Sequence, residues 1–127
     1  MVQGGARKRI VAVDDDEDYI YIIKTVLERE GYEVEGLTCG RECLRRLEES
    51  KPDLLILDVI MPDIYGWEVC RKIKESPSTS SIPVLILSVR SGRKDVERSL
   101  KYARADSHLA KPIEFRKLVR TVRELLT

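Results

Sequence analysis

What the chain lacks narrows it first. Its three cysteines, Cys39, Cys43 and Cys70, contain no CxxC pair. An odd, scattered set supports neither a disulfide framework nor a closed zinc site, and points to reduced, mostly buried thiols in a cytosolic protein. No apolar run approaches the roughly 20 residues that span a bilayer, and the opening "MVQGGARKR" has no signal-peptide core. The expectation is a cytoplasmic protein with no membrane partner. Charge bias is missing too: 23 basic against 22 acidic side chains leave a formal net charge of +1, which gives no footprint for direct nucleic-acid binding. There is no internal repeat or low-complexity tract, and 127 residues leave room for one domain. Residues 1–8 are expected to be a flexible lead-in and 9–127 the domain.

What is present is a regular alternation. Five short apolar runs recur, "RIVAV" (9–13), "YEVEGLT" (32–38), "LLILD" (54–58), "PVLILS" (83–88) and "SHLA" (107–110). Their length and β-branched content predict strands, most of them buried on both faces. Between them lie segments with helical spacing: Tyr19, Ile22, Ile23, Val26 and Leu27; Leu44 and Leu47; Trp67, Cys70 and Ile73; Val96 and Leu100; and Phe115, Leu118, Val119, Val122, Leu125 and Leu126. Five strand–helix alternations predict an α/β fold, a parallel sheet with helices on both faces. In such sheets ligands sit outside the carboxyl ends of the strands.

Those ends carry Asp14 and Asp15 after the first strand, Asp58 after the third, Ser88 at the end of the fourth and Lys111 after the fifth. Taken alone, "VDDDED" is an ordinary acidic helix start, favoured by the helix dipole by about 0.3–1 kcal/mol per charge. Asp58 and Lys111 in register change that for Asp14 and Asp15, while Asp16 is expected to cap the first helix and Glu17 and Asp18 to sit at its positive end. Three carboxylates, a hydroxyl and an ammonium suit phosphoryl transfer to a carboxylate, with hard oxygen ligands for Mg²⁺ and Asp58 as the nucleophile.

On "VDDDE" (13–17), "PDLLILDVIMPDIYGWEV" (52–69), "IPVLILS" (82–88) and "HLAKPIE" (108–114), the chain resembles a response-regulator receiver domain of two-component signalling, from about Arg9 to about Leu126. The resemblance implies a flavodoxin-like (βα)5 fold with strand order 2-1-3-4-5. It implies phosphorylation of Asp58, Mg²⁺ held by Asp14, Asp15, Asp58 and the Ile60 backbone carbonyl, and Ser88 and Lys111 on the phosphoryl oxygens. It also implies a cis Lys111–Pro112 bond, and a Gly66 that relieves crowding at the entry to the third helix. The implied partners are a sensor histidine kinase or phosphotransfer protein, and a downstream output domain or partner protein. The implied role is a signalling switch that catalyses only its own phosphoryl transfer and slow loss of phosphate, not an enzyme acting on other substrates. The switching face would combine the fourth helix, fifth strand and fifth helix.

Five positions stand out against the family pattern. Val89 replaces a small residue beside Ser88, where its bulk is expected to narrow access to Asp58. Arg104 replaces the glycine before Ala105-Asp106, so the turn there is expected to differ. Ile60 and Arg90 occupy positions that in the family modulate phosphate loss, and an apolar side chain and a cation there are expected to slow it. His108 stands where the family often carries a switching Tyr or Phe; the bland expectation is a partly exposed ring that replaces the aromatic sterically, the sharper one a pH-responsive switch.

Competing classes fit less well. A dehalogenase-type phosphotransferase wants a second Asp where Ile60 stands, and a flavin mononucleotide binder needs a Ser/Thr/Gly loop where "DDDED" stands. The remaining alternative is a receiver-like interaction module with little phosphorylation. With no output domain after Thr127, the chain is expected to be either a stand-alone receiver or a piece of a longer regulator.

Overall fold

The computed structural model describes residues 7–127. Of the expected lead-in 1–8, residues 1–6 lie outside the described residues. Five strands, β1 (Arg9–Val13), β2 (Glu33–Leu37), β3 (Leu54–Leu57), β4 (Val84–Ser88) and β5 (Ser107–Ala110), form one parallel sheet in the order β2-β1-β3-β4-β5. The helices are α1 (Glu17–Glu28), α2 (Gly40–Glu49), α3 (Gly66–Glu75), α4 (Arg93–Glu97) and α5 (Phe115–Leu125); α4 runs on into a π-helical turn, Arg98–Tyr102. The expected fold class and strand order are both found.

Side-chain alternation divides the sheet between two cores. Val11, Val13, Leu55, Leu57 and Ile86 pack with α2 and α3 through Cys43, Leu47, Trp67, Cys70 and Ile73. Ile10, Ala12, Leu54, Ile56, Leu85 and Leu87 pack with α1 and α5 through Ile23, Leu27, Leu118 and Val122. Because β1, β3 and β4 are covered on both faces, nearly every residue in them is apolar. All three cysteines are free, and burial pushes the Cys43 and Cys70 thiols up to about 12, so both are inert core residues.

Two expected helix faces shift. In α1 the buried positions are Ile20, Ile23 and Leu27, while Ile22 and Val26 are only half-buried. In the fourth helical segment Leu100 is exposed and Ser99 is fully buried. The segment closes in a π-turn, in which the Ala103 amide reaches the Arg98 carbonyl at 2.9 Å. Ser99, three residues after Val96 and four before Ala103, takes the inward place. Phe115, expected in the α5 stripe, is also exposed.

The Arg104 turn keeps the conformation that glycine would favour. Arg104 has φ 62°, and this left-handed residue turns the chain so that the Ala105 amide reaches the Ser99 carbonyl and the Asp106 amide the Val84 carbonyl, both at 2.9 Å. The turn ends the π-helical segment and starts β5. A side chain in this region costs about 1–2 kcal/mol, whereas a glycine's extra freedom in the unfolded chain costs about 0.4–1 kcal/mol. Arg104→Gly is therefore expected to stabilise the domain by about 0.5–1 kcal/mol, measured by urea denaturation; a lower midpoint would show the left-handed backbone to be unstrained.

Candidate functional site

The register of the parallel strands assembles the site. Val13 pairs with Leu57, so Asp14 and Asp58 each stand one residue beyond a shared rung, and the Asp58 amide donates to the Val13 carbonyl at 3.0 Å. Ser88 pairs with Ala110, so Lys111 stands one residue beyond β5, and its amide donates to the Ser88 carbonyl at 3.0 Å. The Lys111–Pro112 bond is cis, as expected.

At this edge Asp14 and Asp58 are buried and Asp15 is exposed. Their carboxylate oxygens lie within 4.8 Å of one another. The Lys111 side chain is 6% exposed, with Nζ 2.6 Å from Asp14 Oδ2 and 3.5 Å from Asp58 Oδ2. It also lies 4.1 Å from the centre of the Tyr19 ring, a cation–π contact that closes the ammonium off from water. The other oxygens have backbone partners: Asp14 Oδ1 accepts from the Asp16 amide at 2.9 Å, and Asp58 Oδ1 from the Val59 amide at 2.8 Å.

Electrostatics follow from this crowding. Burial raises the Asp58 carboxyl above its usual range and the Asp14 charge adds to the rise, partly countered by Lys111 and the Val59 amide. Burial alone would lower Lys111, but its hydrogen bond to Asp14 and the charges of Asp58 and Asp14 outweigh that, and the net shift is upward. Three carboxylates against one ammonium leave an excess of negative charge, and the donors are hard oxygens. That is the set a Mg²⁺ ion suits.

Nearby residues show why the pocket keeps its shape. Asp16 caps α1 by accepting from the Asp18 amide at 2.9 Å, with Glu17 and Asp18 in the first turn as expected. A Cβ on Gly66 would overlap the Asp58 carbonyl oxygen, so only glycine allows α3 to start against the strand that carries Asp58. Ile60 is 39% exposed on the loop after Asp58, and Val89 is 68% exposed beyond Ser88. Arg90 lies 3.0 Å from Asp95 and 5.7 Å from the centre of the Trp67 ring.

Ser88 is fully buried at the strand end, its Oγ accepting from the Arg90 amide at 3.0 Å. His108 is not gathered into the acidic cluster. It lies on the α3 side of the sheet, half-buried, and both of its ring nitrogens are hydrogen-bonded. Sequence reasoning missed three participants: Tyr19 as the cover over Lys111, Asp63, which accepts from the Gly40 and Arg41 amides at the start of α2, and Ser99. Ser99 had a signal, because Val96, Ser99, Leu100 and Ala103 are spaced i, i+3, i+4, i+7.

Among the described residues no helix is long and apolar enough to cross a membrane. Residues 10–123 match the family described as the response regulator receiver domain. The chain is 35% identical over 118 residues to the phosphate regulon transcriptional regulatory protein PhoB of Rhizobium meliloti, an alignment covering 93% of this chain and 52% of that one. It is 38% identical over 117 residues to the response regulator PleD of Caulobacter vibrioides, covering 92% of this chain and 26% of PleD. The chain thus spans about half the length of one such relative and a quarter of the other. Among solved structures, the CheY-like response regulator receiver domain protein of Methanospirillum hungatei superposes with a TM-score of 0.87 at 30% identity, covering 95% of this chain and 94% of that one. With the sheet order and the three carboxylates facing one lysine, these matches place the chain in the response regulator receiver family, the signalling-switch domain of two-component systems.

Proposed function

We propose that the domain accepts a phosphoryl group on Asp58 from a histidine kinase or phosphotransfer protein and thereby changes its binding to an output domain or partner protein. The observation that carries this reading is the convergence of Asp14, Asp15 and Asp58 at the carboxyl ends of the strands, with the buried Lys111 ammonium against Asp14 and Asp58. Asp14, Asp15, Asp58 and the Ile60 carbonyl would hold Mg²⁺, which when bound offsets the charge of the carboxylates and of the incoming phosphoryl oxygens.

Asp58 Oδ1 is engaged by the Val59 amide, which leaves Oδ2 to form the bond to phosphorus as the bond from phosphorus to the donor breaks. Its raised basicity favours that bond. Lys111 holds a positive charge where the phosphoryl oxygens arrive, and the Ser88 hydroxyl donates to one of them. The product adds a charge of roughly −1.5 to −2 to the pocket, enough to bias two conformations in equilibrium around α4, β5 and α5. The same chemistry makes the domain a switch that turns over only its own phosphoryl group.

Intact-mass measurement after treatment with Mg²⁺ and a small acyl-phosphate donor is expected to show one added phosphoryl group on the parent and none on Asp58→Asn. An unlabelled parent, under conditions that label other receivers, would favour the interaction-module alternative.

Asp58 also sets a pH dependence. Its folded-state pKa is raised, so between the ordinary carboxylate range and that raised value the folded state holds more protons than the unfolded one, and stability falls as pH rises. Asp58→Asn is expected to raise the melting temperature at neutral pH by a few degrees, roughly the effect of a fraction of 1 kcal/mol, and to lose this advantage below the ordinary carboxylate range. Mg²⁺ at a hundredfold excess over its Kd is expected to stabilise the parent by about 2.7 kcal/mol and the Asn variant by less. Calorimetry across pH checks both, and equal melting temperatures throughout would remove the strain assigned to Asp58.

Ile60 supplies the apolar shield against hydrolysis in this reading, since the Arg90 charge is already met by Asp95. Ile60→Asn is expected to speed phosphate release by about tenfold, the effect of about 1.4 kcal/mol at the barrier; an unchanged rate in a phosphate-release assay would count against shielding.

A further inference from the structure

A line of hydrogen bonds runs from the Ser88 end of the pocket to α3, and every donor along it can be assigned. At one end, Trp67 Nε1, which only donates, lies 2.9 Å from Ser99 Oγ. At the other, Ser91 Oγ lies 2.7 Å from the Ser88 carbonyl, which only accepts, so the single Ser91 proton is engaged there. His108 lies between the serines, with Nδ1 2.8 Å from Ser99 Oγ and Nε2 2.8 Å from Ser91 Oγ.

These facts fix the imidazole. With its own proton on Ser88, Ser91 accepts, so Nε2 carries a hydrogen. In the neutral ring Nδ1 then accepts, and Ser99, which already receives the indole N–H, donates to it. The order is Trp67 to Ser99 to His108 to Ser91 to the Ser88 carbonyl, the same carbonyl that receives the Lys111 amide. No buried side-chain polar atom is left unpaired among the described residues. The line passes through Ser99, the fully buried residue of the π-turn.

We propose that Trp67, Ser99, His108 and Ser91 are positioning residues, a relay in which neutral His108 protonated on Nε2 couples the Ser88 end of the pocket to the α3–α4 face, and in which a second proton on His108 breaks the coupling. The pocket end of this inference rests on the phosphoacceptor reading; the relay itself does not. An imidazolium donates from both nitrogens, so Nδ1–H would turn on a Ser99 oxygen already receiving Trp67. The Ser99 proton would then lose its acceptor at a fully buried site.

Charged groups lie on each element packed around the His108 site. Arg90 of the β4–α4 loop and Asp95 of α4 pair with each other, and Arg98 of the π-turn lies 5.2 Å from the centre of the Trp67 ring. Glu68 of α3 is bonded to the Tyr102 hydroxyl at 2.6 Å. Glu114, just before α5, and Lys117 of α5 line a hollow shared with His108. Burial lowers the His108 pKa and Asp95 opposes this, with a net shift downward. The folded state therefore favours the neutral ring, and the relay is closed at neutral pH and opens as pH falls below about 6.5.

His108 and Trp67 are the only histidine and the only tryptophan in the chain, so both report without ambiguity. Imidazole ¹⁵N spectra of the parent at about pH 7.5 are expected to show the Nε2–H tautomer; an Nδ1–H tautomer would overturn the proposal. Trp67 emission is expected to titrate in one step below about pH 6.5. The step is expected to disappear in His108→Phe and in the milder, non-titrating variant His108→Gln, and an unchanged step in either would overturn the proposal. With Mg²⁺ and acyl phosphate at neutral pH, the Trp67 response of Ser99→Ala is expected to fall about threefold relative to the parent while mass labelling of Asp58 persists; an undiminished response would overturn the coupling. If the parent takes no label, the phosphoacceptor reading fails, and the tautomer and the pH step still decide the relay.

Discussion

The Lys111 ammonium between Asp14 and Asp58 is the interaction on which this architecture turns. Two carboxylates buried side by side are costly, because each raises the free energy of the other's charge and neither has water to relieve it. Lys111 offsets part of that cost, and it does so only because the parallel register puts the ends of β1, β3 and β5 on one edge of the sheet. The compensation is incomplete by design of the donor set: one cation faces three acids. A site left with surplus negative charge binds a divalent cation readily and gains further from any group that redistributes the charge.

The pocket's walls are held by backbone hydrogen bonds and close packing. The Asp58 amide is held by the Val13 carbonyl, its Oδ1 by the Val59 amide, and its carbonyl sits where only a glycine at position 66 can pass. Asp14 is held by the Asp16 amide, whose own side chain caps α1. Each carboxylate therefore keeps one oxygen engaged with backbone and offers the other to the pocket. In a softer frame the two acids would swing apart into water, and the basicity that burial gives Asp58 would be lost.

Much of this was legible in the sequence, and the reasons are local. The strands were visible because β1, β3 and β4 are covered on both faces and carry almost nothing polar. The five acids after β1 separate by role along the chain, two on the pocket and three at the helix start, because a strand end followed at once by a helix N-terminus demands different work from neighbouring residues. What was not legible depends on tertiary geometry. Val96 and Leu100 have helical spacing, but so do Val96 and Ser99, and only the packing of α3 and β5 decides that the serine goes inside, against Trp67 and His108. The position of Arg104 suggested an altered turn, but the backbone keeps the left-handed conformation and the arginine conforms to it. Tyr19 looked like part of the α1 core stripe, and its use as a lid on Lys111 depends on an element almost the whole chain away.

The four-residue strand β5 connects the acidic edge to both layers of the fold. Alternation along it sends His108 to the side of α3 and the π-turn and Leu109 to the side of α1 and α5, while the next residues deliver Lys111 to the acidic edge. Any redistribution of charge that draws Lys111 from Asp14 toward Asp58 therefore pulls on a strand whose other side chains are wedged into both layers. The Ser88 carbonyl ties the two responses together, since it receives the Lys111 amide and, through Ser91, the imidazole. An edge strand is the suitable place for this, because it has only β4 beside it and can shift without breaking a second ladder. A central strand such as β3, paired on both sides, holds Asp58 still.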